Sequence, residues 1–138
     1  MLFTKVSEYA ILAMVYIAEK NTILDVDTVH KDLKISKSFL AKILQNLAKA
    51  DILNSQKGAQ GGFALSKDPA QITLNEIVKG AEKRQISVFE CSTKNTACKK
   101  ALNNSCKISY IFKDLQDKVD NYLDNIKLSD IISQKEDI

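Results

Sequence analysis

Proline and glycine are scarce in this chain, at one and four of 138 residues. Both interrupt element interiors, so their scarcity favours helices and leaves room for few strands. Three of the four glycines fall at positions 58, 61 and 62, which concentrates the turn chemistry in one place. No uncharged apolar run approaches the roughly 18 residues that a membrane span needs. The opening residues, Met1-Leu2-Phe3-Thr4-Lys5, lead into an amphipathic stretch holding Glu8 and Glu19, unlike a secretory signal. A cytoplasmic chain with no membrane partner is expected. Histidine is limited to His30, which rules out a paired-histidine site. No phosphate-binding glycine loop and no convincing acid/base set stand out, so the chain is not expected to be an enzyme.

What is present suits one compact unit. A length of 138 residues can bury a real core, and 45% apolar with 27% charged residues is ordinary for a globular chain. The net charge of +3 is unevenly spread. Between Lys31 and Lys67 seven lysines face two acids, a local +5, so the remainder is net −2. A basic segment on an otherwise acidic chain suggests a polyanionic partner. The alternative is a plain solvated lysine face.

Hydrophobic spacing places the elements. Val6, Tyr9, Ala10, Ala13, Met14 and Ile17 predict a helix over 4–20. Ile11, Leu12, Val15 and Tyr16 widen its apolar face nearly all round, as in a buried helix. A short helix over 25–32, with Asp25 as cap, is followed by a tight connection at Lys34-Ile35. Ser36 stands at the N-cap of a third helix over 37–50. There Phe39, Leu40, Ile43, Leu44 and Leu47 form one stripe, and Lys37, Ser38, Ala41, Lys42, Gln45 and Lys49 the other face. Stretches 52–57 and 63–65, with apolar ends around the glycine-rich turn, read as a short β-hairpin. Thr73 and Glu76 form a capping-box pattern that opens a fourth helix. Periodicity then vanishes over 83–107, and a final helix is expected over 108–126 from Ile111, Leu115, Val119, Tyr122 and Ile126. The expected layout is a winged-helix domain over 1–82, a cysteine-containing loop over 83–107, a dimerisation helix over 108–128 and a flexible tail over 129–138. The fold class is mainly α: a winged helix-turn-helix with a short β-hairpin wing and a long C-terminal helix.

That order of elements suits duplex DNA, whose major groove admits the second helix of such a pair, N-terminal residues foremost. Ser36, Lys37, Ser38, Phe39 and Lys42 are the candidate contacts on the helix. Serine hydroxyls reach several base edges and lysine favours guanine acceptors or phosphate. Phe39 is weighed more heavily as a core residue. At the hairpin tip, Lys57, Gly58, Gln60 and Gly61 are candidates for a phosphate or minor-groove contact, because glycine lets backbone approach closely.

Cys91, Cys98 and Cys106 lie within sixteen residues, and no other cysteines occur. Three thiolates are one short of the usual four ligands of an iron–sulfur cluster, and a zinc site shows the same shortfall. Reversible thiol oxidation is the other chemistry three clustered cysteines support. A redox or iron–sulfur enzyme remains a third reading.

The chain resembles the IscR/NsrR-type winged-helix regulators, the Rrf-two family. The resemblance runs over nearly the whole length. It is carried by Leu2-Phe3-Thr4-Lys5 with Tyr9-Ala10, by Ile35-Ser36-Lys37-Ser38-Phe39-Leu40, by the wing Lys57-Gly58-Ala59-Gln60-Gly61-Gly62-Phe63, and by the three cysteines. It implies a homodimer on a palindromic DNA operator, with crossed C-terminal helices and a 2Fe–2S or 4Fe–4S cluster that senses cluster supply, nitric oxide or redox state. IscR-like members carry a histidine three residues after the third cysteine, where this chain has Ser109. NsrR-like members use an acid of the partner subunit, and the matching position is Glu8. The resemblance therefore implies Cys91, Cys98 and Cys106 as ligands, with Glu8 from the partner as the fourth. IscR-like recognition helices carry an acid and a glutamine where Ala41 and Lys42 stand, so the operator sequence does not transfer.

Overall fold

The structure is a computed structural model that describes residues 3–88 and 107–134. Helix α1 (Lys5–Lys20) begins at Thr4, whose hydroxyl accepts from Val6 N–H, and ends at Asn21 in the left-handed conformation. Helix α2 (Val26–Leu33) is capped by Asp25, which accepts from Thr28 N–H. Lys34, also left-handed, turns the chain tightly into helix α3 (Lys37–Lys49). Ser36 occupies the N-cap of α3 without a side-chain capping bond. Its hydroxyl lies 3.3 Å from that of Ser38 instead.

Strands β1 (Leu53–Gln56) and β2 (Gly62–Leu65) form an antiparallel hairpin, with Leu53 opposite Leu65 and Gln56 opposite Gly62. The hairpin does not stand alone. Leu24 exchanges two backbone hydrogen bonds with Phe63, at 2.8 and 3.0 Å, and ties the α1–α2 connection to the inner side of the wing. A short 3-10 turn from Pro69 leads to helix α4 (Leu74–Glu82), whose Thr73–Glu76 capping box is complete. Helix α5 spans Ser109–Asn125.

One core joins these elements. Ala10, Ala13, Met14 and Ile17 of α1 meet Val29 of α2, Leu40, Ile43, Leu44 and Leu47 of α3, and Ile77 of α4. At the common 1.5–3 kcal/mol per buried aliphatic side chain, this cluster dominates the energetics of the fold. Within the single chain the apolar face of α1 is not wholly covered: Leu12 is 44% exposed. A smaller cluster of Val78, Ile86 and Leu123 attaches α5 to α4.

Two segments differ from expectation. The tail expected over 129–138 contains a sixth helix, α6 (Leu128–Ser133). Leu128 is fully buried, and its N–H bonds to Ile72 carbonyl at 2.8 Å while Leu74 N–H bonds to Ile126 carbonyl at 2.9 Å. The chain thus returns alongside residues 72–74, and burying Leu128 holds the end of the fold. The expected loop over 83–107 is also tied down at its start, where Ile86 is buried at 2% exposure.

Candidate nucleic-acid interface and sensor site

Helix α3 divides cleanly. Leu40, Ile43, Leu44 and Leu47 are buried, and Ser36, Lys37, Ser38, Lys42, Gln45 and Lys49 are exposed. The 3.6-residue period puts the two sets on opposite sides. Phe39 is half-buried and meets the Tyr9 ring edge-on, with centroids 5.7 Å apart. It braces the start of α3 against α1. Lys37 is exposed, yet its ammonium lies 2.6 Å from Asp27 of α2. That pair, rather than burial, holds the Asp27 carboxyl below its ordinary range. Asp27 carried no signal in the sequence, because an acid in a first helical turn is common.

At the wing tip Gly61 N–H closes a turn onto Gly58 carbonyl at 3.0 Å. Lys57, Gly58 and Gln60 are exposed, and Gly61 is half-buried. A Cβ at Gly61 would lie 2.2 Å from Gln56 carbonyl oxygen, so the turn is too tight for any side chain there. The expected DNA residues are therefore exposed on α3 and on the wing, except Phe39 and Gly61, which are half-buried.

Cys91, Cys98 and Cys106 lie outside the described residues. Among the described residues no three His, Cys, Asp or Glu side chains gather as a metal site. His30, the one histidine, is half-buried and its Nδ1 lies 3.2 Å from Ile35 carbonyl, which accounts for it structurally. Glu8 is exposed, 3.1 Å from Lys5, and lines a groove of about 700 Å³ with Phe3, Ile11, Leu74, Tyr122 and Ile126. The lining is mostly apolar, with Thr4, Glu8 and Lys118 as its polar members. Its outer wall continues along α5, where Ile108, Ile111, Leu115 and Tyr122 are 43 to 68% exposed.

Glu82, at the end of α4, was not legible as special. Its side chain is only 9% exposed. It accepts hydrogen bonds from Thr4 and, at 2.7 Å, from Ser7, and lies 3.4 Å from Arg84. Burial pushes its pKa up, but the two hydroxyls and the guanidinium outweigh that and leave it lowered. The residues just before the cysteines are thereby fastened to the start of α1.

A helix pair joined by a tight turn, a polar outward face on its second member and a glycine-tipped hairpin define a winged-helix transcription regulator of the DNA-binding kind. A match to the Rrf2 family, described as iron-dependent transcriptional regulators, spans residues 3–134, and the chain belongs to that family. The family is one of regulators, not enzymes. The chain is 26% identical over 141 residues to the HTH-type transcriptional regulator NsrR of Shouchella clausii, covering 100% of this chain and 93% of that one. It is 25% identical over 138 residues to the regulator IscR of Cronobacter sakazakii, covering 99% and 83%. Its fold superposes on that of CymR, the global cysteine regulator of B. subtilis, with a TM-score of 0.76 at 21% identity, covering 97% and 98%. No helix among the described residues is long and apolar enough to cross a membrane.

Proposed function

We propose that this chain works as a cytoplasmic homodimer that binds a palindromic duplex operator and senses iron–sulfur status, nitric oxide or redox state through Cys91, Cys98 and Cys106. The single observation that carries the DNA half is the division of α3, with Ser36, Lys37, Ser38, Lys42 and Gln45 exposed over a sealed apolar face. Lys57 on the wing adds a phosphate contact, and Gly58 with Gln60 and Gly61 lets the tip approach the backbone.

The dimer half rests on α5. Its first buried side chain is Gln116, so the first two turns present Tyr110, Ile111 and Leu115 to solvent. An exposed apolar row of this size marks an interaction surface. A second copy of the same helix is the occupant proposed, because the apolar groove beside it continues the same row. Glu8 lines that groove and faces whatever fills it.

This placement fits Glu8 as the ligand given in trans to three cysteines of the partner. It is an exposed carboxylate at the interface, held only by a surface pair with Lys5, and such pairs are weak. A bound cluster would supply the redox-sensitive or nitric oxide-sensitive centre. The chain's own part is to hold α5 and α1 of the two subunits in register. Half-sites lie about one helical turn apart, so a small change of register lowers operator affinity.

The test is anaerobic purification with iron and sulfide assay, followed by selection of bound DNA with and without the cofactor. Iron and sulfide in step with protein, lost in Cys98→Ala and more quickly released in Glu8→Ala, support the cluster. An iron-free chain that alters DNA binding on oxidation of its thiols overturns it in favour of thiol sensing. In the same assay Lys57→Ala weakens binding across sequences and reduces the salt slope by about one. Unchanged affinity removes the wing from the interface.

A further inference from the structure

A buried amide joins α5 to the segment that leads into the cysteines. Gln116 is 3% exposed. Its Oε1 accepts from Val88 N–H at 2.8 Å, and its Nε2 donates to Ile86 carbonyl at 2.8 Å and to Asp120 Oδ1 at 3.0 Å. The two backbone groups flank Ser87 and are met by one side chain, as they would be met by the peptide of a neighbouring strand. An amide suits this position because it offers an acceptor and a donor together. Asp120, one turn further along α5, accepts the second N–H and so determines which end of the amide faces which backbone group. Beneath this clamp Ile86 packs with Val78 and Leu123.

The spacing on both sides gives the clamp its meaning. Cys106 precedes Ser109, the first residue of α5, by three positions. Cys91 follows Val88 by three positions. Three residues span at most about 10–11 Å. Cys106 is thus tethered to α5 through the chain, and Cys91 is tethered to the same helix through Gln116.

We infer that Gln116 is a positioning residue for the proposed sensor: by clamping Ile86 and Val88 it fastens the segment leading to Cys91 onto α5, the helix that Cys106 precedes by three positions in the sequence. This rests on the proposal that the cysteines sense, and it names the contact through which their state is felt by α5. A hydrophobic side chain of the same length removes the partner of the buried Ile86 carbonyl and of the part-buried Val88 N–H, and a carboxylate sets an acceptor against Ile86 carbonyl and Asp120.

The experiment uses the full chain, metal-free and reduced, with iodoacetamide as probe and mass spectrometry to follow each cysteine. Gln116→Met speeds alkylation of Cys91 about 3- to 10-fold relative to Cys106, as expected when a local anchor is released. Asn75→Ala, which removes a different hydrogen bond between α4 and α5, to Asp124 at 2.7 Å, leaves that ratio unchanged. An unchanged ratio in Gln116→Met, or the same change in Asn75→Ala, overturns the inference. Hydrogen exchange of the unmodified chain is a second measurement that needs no variant: Val88 N–H exchanges as slowly as amides within α5, and fast exchange there overturns the clamp. Neither readout depends on a cluster. Failure of the sensing proposal shows separately, as DNA binding by the unmodified chain that is indifferent to iron, sulfide and oxidant.

Discussion

The Asp27 carboxylate lies 2.6 Å from the Lys37 ammonium and joins the first turn of α2 to the first residue of α3. Both side chains are more than half exposed, so the pair adds little to stability. On the proposed reading its consequence is in DNA binding. Lys37 is a cation at the start of α3, the helix proposed to enter the major groove, and Asp27 pairs with it. In that reading a phosphate must displace the acid before Lys37 contributes. Asp27→Asn therefore strengthens binding to unrelated duplex DNA by about 2- to 5-fold at low salt and steepens the salt dependence by up to about one. Anisotropy titrations over a range of salt concentrations measure both. Equal affinities for the two proteins at every salt concentration would show that Lys37 does not face DNA.

Much of this arrangement is legible from residue order, and the exceptions have physical reasons. The α3 stripe from Leu40 to Leu47 carries a strong helical period, so its inner and outer faces follow from spacing alone. The Thr73–Glu76 box is a local signature and is present. Helix α6 is not legible in that way. It is six residues long, its apolar members Leu128, Ile131 and Ile132 stand among charges, and it is held by pairing with Ile72 and Leu74, more than fifty residues earlier. The α5 repeat is real but ambiguous, since period alone does not say what covers it. Ile111, Leu115 and Tyr122 are exposed, and the buried positions are Gln116 and Leu123. Gln116 and Glu82 read as surface residues in any sequence, because what buries them is distant backbone or side chains brought near by the fold.

Glu82 provides a pH dependence. Its carboxyl is lowered from the ordinary 4.5, because hydrogen bonds from Thr4 and Ser7 and the charge of Arg84 outweigh its burial. A carboxyl with a depressed folded pKa contributes stability that is present above the unfolded value and is lost as pH falls through the folded one. Glu82→Gln keeps the shape and removes the charge, and it destabilises by about 1–2 kcal/mol at neutral pH. The difference between the two proteins narrows as pH drops below 4.5. Urea unfolding at pH 7 and at pH 3.5 checks this. A gap that is the same at both values, or larger in acid, contradicts the network around Glu82.

Leu128 tests whether the end of the chain is part of the fold. It is fully buried, and its own N–H and the carbonyl of Ile126 before it are bonded to Ile72 and Leu74 at the start of α4. Truncating a buried leucine costs about 2–5 kcal/mol, through lost transfer energy and the cavity left behind. Leu128→Ala is accordingly expected to lower the global midpoint of unfolding, while Ser133→Ala, at an exposed position, stays within about 0.5 kcal/mol. A Leu128→Ala protein as stable as its parent would mean that residues beyond Asn125 fray independently.

The wing gives the last prediction, since two of its glycines carry different constraints. Gly58 has φ of +109°, with open space where a Cβ would stand. Gly62 has φ of +151°, and a Cβ there would lie 2.4 Å from Leu24 carbonyl oxygen. That carbonyl accepts the bond from Phe63 N–H that ties the wing to the α1–α2 connection. Gly58→Ala pays only for a backbone conformation that side chains disfavour, about 1–2 kcal/mol, and the tip adjusts without disturbing neighbours. Gly62→Ala adds a clash with backbone that cannot swing aside, so the Leu24–Phe63 pairing opens and Phe63 leaves the core. The expected result is a larger loss of stability in Gly62→Ala than in Gly58→Ala, together with faster hydrogen exchange at Leu24 and Phe63 in Gly62→Ala alone. If both variants protect those two amides equally, the wing is not anchored through Leu24, and its attitude toward DNA must depend on β1 and β2 alone.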